Sequence, residues 1–351
     1  MNTIKVFKKG WIRIVLLVVF LGNSTSFFGQ TMVSTTGKNT YSFTTSGKNG
    51  AKTYRVKNSN NDFKIEYEGE ITLSDDDKDV IGISMGGFLE IKKTSFGSKR
   101  RILIHAEEGT LVKKYYKGWS KKPYNPTGKA WLAAILPEIV RTTTIAAEAR
   151  VNRFYKKGGA NSVLSEVREI KSDYVKIAYI KLLLKKNLST KELVSVLKST
   201  GKNIKSDYYV SQILKNNQNV FLKNGRTVTA YIDAALRLKS DHYLSEVIKT
   251  VINNENISDK QLDSLLEATK GIKSDHYLTQ VLKELMKRKT LNAKNITKVL
   301  EITSNIKSDY YKTEIFKKVL LAKNLSDFEF ARFLTSLKSL RTKVMRMHNI
   351  I

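Results

Sequence analysis

Residues 273–306 read KSDHYLTQVLKELMKRKTLNAKNITKVLEITSNI, one copy of a unit that fills the second half of the chain. Its opening tripeptide recurs as Lys171-Ser172-Asp173, Lys205-Ser206-Asp207, Lys239-Ser240-Asp241, Lys273-Ser274-Asp275 and Lys307-Ser308-Asp309, each copy 34 residues after the last. A fixed period of this size marks a solenoid, in which small units that cannot bury their own apolar faces stack into one core. Within the quoted unit Leu278, Val281, Leu282 and Leu285 fall at i, i+3, i+4 and i+7, one face of a helix. Serine is a preferred N-cap, its hydroxyl accepting a free backbone N–H, and aspartate one step later suits the positive end of the helix dipole. Ser172, Ser206, Ser240, Ser274 and Ser308, with Asp173, Asp207, Asp241, Asp275 and Asp309, are therefore read as structural caps.

Each unit also carries a second helix. Capping boxes mark its start at Ser189/Glu192, Ser258/Gln261 and Ser326/Glu329. Its apolar columns line up across units as Val228, Leu262, Ile296, Phe330 and as Tyr231, Leu265, Val299, Phe333. An Ile or Leu precedes every tripeptide (Ile170, Ile204, Leu238, Ile272, Ile306). The period equals that of tetratricopeptide repeats, but their consensus is absent, so the expected architecture is tetratricopeptide-like or HEAT-like by geometry. Residues 137–170 read as a degenerate first unit, with Pro137 near a helix start and Gly158-Gly159 between helices.

Upstream the rhythm changes. Residues 32–117 alternate in steps of two, as in Phe63-Lys64-Ile65-Glu66-Tyr67, with turn signals at Glu68-Gly69, Gly86-Gly87 and Gly97-Ser98. This predicts a small antiparallel sheet, with 32–61 as an arm or as edge strands. The fold class is thus α+β and mostly α: an antiparallel β-domain over 30–120, a linker and start of the helical region over 121–136, a solenoid over 137–340 with units beginning near 137, 171, 205, 239, 273 and 307, and a tail over 341–351.

The amino terminus reads as a signal peptide. Lys5, Lys8, Lys9 and Arg13 precede an apolar run over 14–21, and Ser24-Thr25-Ser26 and the Gly29–Gln30 bond are candidate cleavage sites within 1–29. The run is short of the roughly 20 residues that span a bilayer. There is no cysteine, hence no disulfide and no lipid-anchor cysteine. A periplasmic or secreted location is expected, with no transmembrane anchor after cleavage.

Net charge is +30, of which residues 131–351 supply +19. Such a charge suits an anionic partner or merely a soluble surface. Lysine dominates over arginine, whereas phosphate readers prefer arginine forks, so nucleic acid is not the expected partner. Alignment of the units exposes a stripe: Lys181, Lys215, Lys249, Lys283 and Lys317, with Tyr174, Tyr208, His242, His276 and Tyr310 seven residues earlier. It reads either as a cation-and-ring ladder facing a partner or as duplicated lysines paired with carboxylates of neighbouring units. The next column, Val175, Tyr209, Tyr243, Tyr277 and Tyr311, is read as packing. His242 and His276 replace tyrosine and are read as packing or capping residues, not metal ligands.

No P-loop, GxSxG, HExxH or Cys/His nucleophile pattern appears. The cluster Asp75-Asp76-Asp77-Lys78-Asp79 fails the EF-hand pattern, which needs Gly and Glu where Val80 and Gly86 stand, and is read as an acidic solvated turn. No catalytic residue, cofactor or metal is expected.

Several stretches together resemble an uncharacterised family of secreted bacterial proteins of Bacteroidetes type. They are Ser74 to Val80, Met85-Gly86-Gly87-Phe88-Leu89-Glu90-Ile91, Trp131 to Arg141, Ala147-Glu148-Ala149-Arg150-Val151 and the Ser-Asp-Tyr repeats. Similar regions form the extracytoplasmic part of membrane metallopeptidases related to antibiotic sensors. The resemblance implies an architecture and no catalytic residue. Other members often carry Glu after Ser-Asp-Tyr, where this chain has Val175, Tyr209 and Tyr311. The expected function is non-enzymatic: a periplasmic protein-binding or scaffold protein, with another envelope protein as partner. The alternative is a binder of an anionic envelope polymer (peptidoglycan, glycan or lipopolysaccharide) through the lysine and aromatic stripe.

Overall fold

The computed structural model describes residues 31–36, 39–45, 51–254, 257–288, 291–321 and 327–338. The predicted signal peptide, the cap Ser326 and the tail 341–351 lie outside the described residues. The chain divides into two compact units, 1–150 and 151–351.

The first unit is an antiparallel sheet with a helix against it. Ten strands are formed: β1 (Thr31–Thr36), β2 (Asn39–Thr45), β3 (Lys52–Lys57), β4 (Asn61–Glu68), β5 (Ile71–Leu73), β6 (Val80–Ile83), β7 (Phe88–Ser95), β8 (Ser98–Glu107), β9 (Thr110–Lys117) and β10 (Ser120–Lys122). Eight of them make one sheet in the order β1-β2-β3-β4-β7-β8-β9-β10, and β5 and β6 form a separate hairpin. Of the two alternatives for 32–61, the strands hold: β1 to β3 extend the sheet to its edge.

The register explains the alternation. Ile65, Ile91, Ile102 and Tyr115 stand opposite one another across β4, β7, β8 and β9, and all four are buried. One residue earlier on β4 the row is Lys64, Lys92, Arg101 and Tyr116, the opposite face of the pleat. There Lys64, Lys92 and Arg101 pair with Glu66 and Glu90, and Arg101 covers the Tyr116 ring at 4.0 Å.

Helix α1 (Lys129–Thr142) belongs to this core. Trp131, Leu132, Ile135, Leu136, Ile139 and Val140 join the strand residues in one buried cluster. Gly128, just before α1, lies tight against the sheet, since a Cβ there would stand 2.8 Å from that of Tyr115. This corrects the expected boundary. Pro137 lies inside α1 instead of near a helix start, and the residues from 137 to Arg150 complete the β unit instead of opening the solenoid. The apolar spacing of α1 is that of any amphipathic helix, so periodicity alone could not say which core it serves.

The acidic turn is also corrected. Asp75 and Asp76 are exposed, but Asp77 and Asp79 are not simply solvated. Asp77, at φ 58°, accepts from Arg150 Nε at 3.0 Å and Nη2 at 2.8 Å, and Arg150 is 2% exposed. Asp79 accepts from Lys113 Nζ at 2.6 Å. The Ser74–Val80 and Ala147–Val151 stretches of the family resemblance thus meet through one buried ion pair.

The second unit is a run of helical hairpins. Helix α2 (Ala147–Glu169) begins in the first unit and enters the second at Val151; it is broken at Gly158 and Gly159, the latter at φ 62°, which matches the expected turn between helices. Five hairpins follow. Their first helices are α3 (Asp173–Leu184), α5 (Asp207–Asn216), α8 (Asp241–Ile252), α10 (Asp275–Leu285) and α12 (Asp309–Leu320). Their second helices are α4 (Thr190–Asn203), α7 (Gly225–Ala235), α9 (Asp259–Thr269), α11 (Ala293–Ser304) and α13 (Asp327–Leu337); a short helix α6 (Gln218–Phe221) precedes α7. The predicted columns are buried, including the Ile or Leu before each tripeptide. Phe330 is the exception, 46% exposed in the last described hairpin, where no further unit covers it among the described residues. No single helix among the described residues is long and apolar enough to cross a membrane.

Candidate binding face on the helical repeats

The tripeptide organises the face, although not as expected. Each of its serines occupies the N-cap position, its carbonyl accepting the first intrahelical bond, as in Leu278 N–H to Ser274 O at 3.0 Å. None of the five hydroxyls caps its helix. The reason lies in the backbone. Ser274 has ψ 117°, and the other four serines have ψ between 114° and 121°. At Ser189 and Ser258, where the predicted capping boxes do form, ψ is 159° and 158°. At the smaller ψ the hydroxyl is swung away from the N3 amide.

The aspartates do the joining. Oδ2 of Asp173 accepts from Lys205 N–H and Ser206 N–H, both at 2.8 Å. Asp207 accepts from Lys239 and Ser240 at 2.9 and 2.7 Å, Asp241 from Lys273 and Ser274 at 3.0 and 2.7 Å, and Asp275 from Lys307 and Ser308 at 3.0 and 2.9 Å. Every such carboxylate sits on the first turn of its own helix, where the dipole favours it, and clasps the backbone of the next unit. The second helices use the same device in reverse. Glu192 of a capping box reaches back to Ala160 N–H at 3.3 Å, and Gln261 donates back to Gly225 O at 2.7 Å. These clasps fix the register of one unit on the next.

That register sets the first helices side by side and aligns their outer columns. Tyr208, Gln212 and Lys215 fall at i, i+4 and i+7 on α5, and the same positions are His242, Glu246 and Lys249 on α8, and His276, Gln280 and Lys283 on α10. Tyr208, His242, His276 and Tyr310 are exposed, while Tyr209, Tyr243, Tyr277 and Tyr311 beside them are half-buried. The rings form a zigzag. Tyr208 lies 6.2 Å from Tyr243, His242 5.5 Å from Tyr277, and His276 5.9 Å from Tyr311, with neighbouring rings on each helix 5.0–5.2 Å apart. Gln212 donates to Tyr208 Oη at 2.7 Å, and Gln280 meets His276 Nε2 at 2.9 Å. Tyr174 is half-buried, and burial pushes its hydroxyl pKa up, as at Tyr209.

The lysine column is partnered where the helices face one another. Lys215 Nζ is 3.0 Å from Glu246 Oε2, and Lys283 Nζ is 2.9 Å from Glu314 Oε2, each pair joining two units. Lys249 bonds Glu246 of its own helix at 2.6 Å and Gln280 of the next at 3.3 Å. Glu246 is held down to about 2 by hydrogen bonds from Lys249 and then Lys215, and Glu314 is lowered by Lys283. Lys181 makes no ion pair among the described residues, and Lys317 is exposed. The column Gln212, Glu246, Gln280 and Glu314 did not emerge from the sequence reading. Its signal was present, three residues before each lysine, but its alternation of Gln with Glu hid it.

Between α5 and α8 this face holds a hollow of about 200 Å³ lined by Tyr208, Gln212, Lys215, His242, Tyr243 and Glu246. Among the described residues no cluster of His, Asp and Glu could hold a metal ion.

No family model, curated protein or solved structure matches this chain. The face itself offers rings in tilted and edge contact, amide and hydroxyl groups, and lysines of which Lys215, Lys249 and Lys283 are paired, repeated at the spacing of the units.

Proposed function

We propose that the chain is a non-enzymatic binding or scaffold protein of the bacterial periplasm, and that the first-helix face of its repeats holds an extended segment of another envelope protein. One observation carries this reading: the ladder of rings that runs unbroken from Tyr208 to Tyr311 with its outer members exposed. Exposed aromatic side chains are unusual on a surface that only needs solvation, and Tyr is enriched where proteins bind proteins. Repeat proteins also use such long faces for extended ligands. The polymer-binding alternative asks for free cations, and the carboxylates facing Lys215 and Lys283 weigh against it.

The test is site-specific photocrosslinking in envelope preparations. A crosslinking residue at Tyr208, His242 or Tyr310 should give one discrete protein adduct, and the same residue at Asp233, exposed on the second helix α7, should give none. Adducts that run as a polymer smear and vanish at high salt would favour the polymer. Equal adducts from both faces would refute the assignment.

A further inference from the structure

The β unit carries a second surface that its fold does not explain. Three hairpin turns meet at one end of the sheet. Phe96 N–H donates to Asn60 O at 3.0 Å, joining the β7–β8 turn to the β3–β4 turn, and Gly118 N–H donates to Lys99 O at 2.8 Å, joining the β9–β10 turn to β8. At this tip Phe96 is 80% exposed and Trp119 91% exposed. Phe96 stands at φ 45° before Gly97 at φ 78°, a position where Asn, Asp or Gly would serve better and where a bulky residue is strained. The phenyl ring therefore brings the fold a strained backbone and a wetted apolar surface, with no packing in return. Trp119 is in the same position of large area without burial.

Around these two rings cations dominate, and Asp62, at the start of β4, is paired with Arg55. Residues 93–100 and 117–122 hold six Lys and Arg and no Asp or Glu. Lys99, Arg100, Lys117, Lys121 and Lys122 are all exposed, and none of them forms an ion pair among the described residues. Elsewhere on the same sheet the cations are balanced, as Lys64, Lys92 and Arg101 are by Glu66 and Glu90. Lys99 Nζ lies over the Trp119 ring at 4.8 Å, so an ammonium rides beside the indole and covers one of its faces.

Turn-borne aromatic rings ringed by unpaired cations match the chemistry of a membrane surface: rings at headgroup depth, ammonium and guanidinium groups on lipid phosphates. A stacking ligand such as a sugar or base would engage the open face of Trp119 alone, whereas a lipid surface engages both rings and the cations around them. We infer that this tip of the β unit docks on an anionic lipid surface, with Phe96 and Trp119 entering the headgroup layer and Lys99, Arg100, Lys117, Lys121 and Lys122 contacting phosphates. The inference does not depend on the repeat face.

The chain has no cysteine, so a single engineered one reports its own position. Full-length Ser120→Cys, labelled with an environment-sensitive nitrobenzoxadiazole dye, should brighten severalfold and shift to the blue with vesicles of phosphatidylcholine containing about a third phosphatidylglycerol. Met85→Cys, 97% exposed in the turn before β7 and at the far end of that strand, should not respond. Raising salt to 0.5 M, or adding Lys99→Glu with Lys117→Glu, should weaken the Ser120→Cys response at least tenfold in vesicle concentration. Adding Phe96→Ser with Trp119→Ser should abolish the blue shift. The response at Met85→Cys and the loss with Phe96→Ser and Trp119→Ser separate insertion of the tip from adsorption through the apolar 14–21 segment. No brightening with phosphatidylglycerol, an equal response to pure phosphatidylcholine, an equal response at Met85→Cys, or an equal response to a soluble anionic glycan without vesicles would each overturn the proposal.

Discussion

Asp241→Ala tests the clasp between units directly. The substitution removes a carboxylate that accepts Ser274 N–H at 2.7 Å and Lys273 N–H at 3.0 Å from the following unit. A hydrogen bond to a charged group contributes about 1.5–3 kcal/mol. The Lys273 amide is exposed and can turn to water, so its loss costs little, whereas the Ser274 amide is partly buried. Loss of the carboxylate from the first turn of α8 adds about 0.3–1 kcal/mol. The expected cost is about 2–4 kcal/mol in total. Ser274→Ala is the matched control. Its hydroxyl caps nothing, so it should cost under about 0.5 kcal/mol, although a working serine N-cap would cost about 1 kcal/mol. Urea unfolding followed by far-UV circular dichroism measures both. Hydrogen exchange should place the early opening of the Asp241 variant at the α8–α10 interface, since solenoids lose stability through nearest-neighbour terms. If Ser274→Ala costs as much as Asp241→Ala, the clasp is not what holds the units together and the argument from register to binding face fails.

Other outcomes follow from the same geometry. Lys283→Ala removes a half-exposed ion pair to Glu314 and should cost no more than about 1 kcal/mol by denaturation. Glu246 has its pKa lowered from an ordinary 4.5 to about 2, so its contribution is fully present above 4.5 and is lost as pH falls; the stability difference between wild type and Glu246→Gln should vanish between about pH 4.5 and about 2 in acid titrations. Tyr231 is fully buried and its hydroxyl has no hydrogen-bond partner among the described residues, so Tyr231→Phe should raise stability, by about 1 kcal/mol in urea unfolding. Asp77→Asn keeps a side chain that tolerates the left-handed backbone but takes the charged partner at 2.8 Å away from the buried Arg150 guanidinium; the β unit should lose about 3 kcal/mol, read from near-UV circular dichroism of its tryptophans.

The sequence by itself determined the repeat. A period of 34 residues, apolar columns at helical spacing and an alternating segment upstream were enough to place five helical hairpins after an antiparallel sheet, because helix and strand periodicities are properties of the local chain. The capping boxes at Ser189 and Ser258 were legible for the same reason: donor and acceptor lie three residues apart. The lysine and aromatic columns were legible as columns, and nothing more. Which groups answer them was decided between helices: Lys215 meets a glutamate 31 residues away, and the His242 ring tilts against a tyrosine of the next unit. The role of the aspartates was hidden likewise, because Ser-Asp at a helix start looks like a local cap, while the acceptor's partners stand 32 and 33 residues downstream. Helix α1 shows the same limit, its apolar stripe fitting a solenoid or a sheet equally until the burial of Trp131 and Ile135 against the strands chose the sheet. Local chemistry writes the elements into the sequence; the pairing of distant polar groups depends on how those elements are set against one another, and only the tertiary structure decides that.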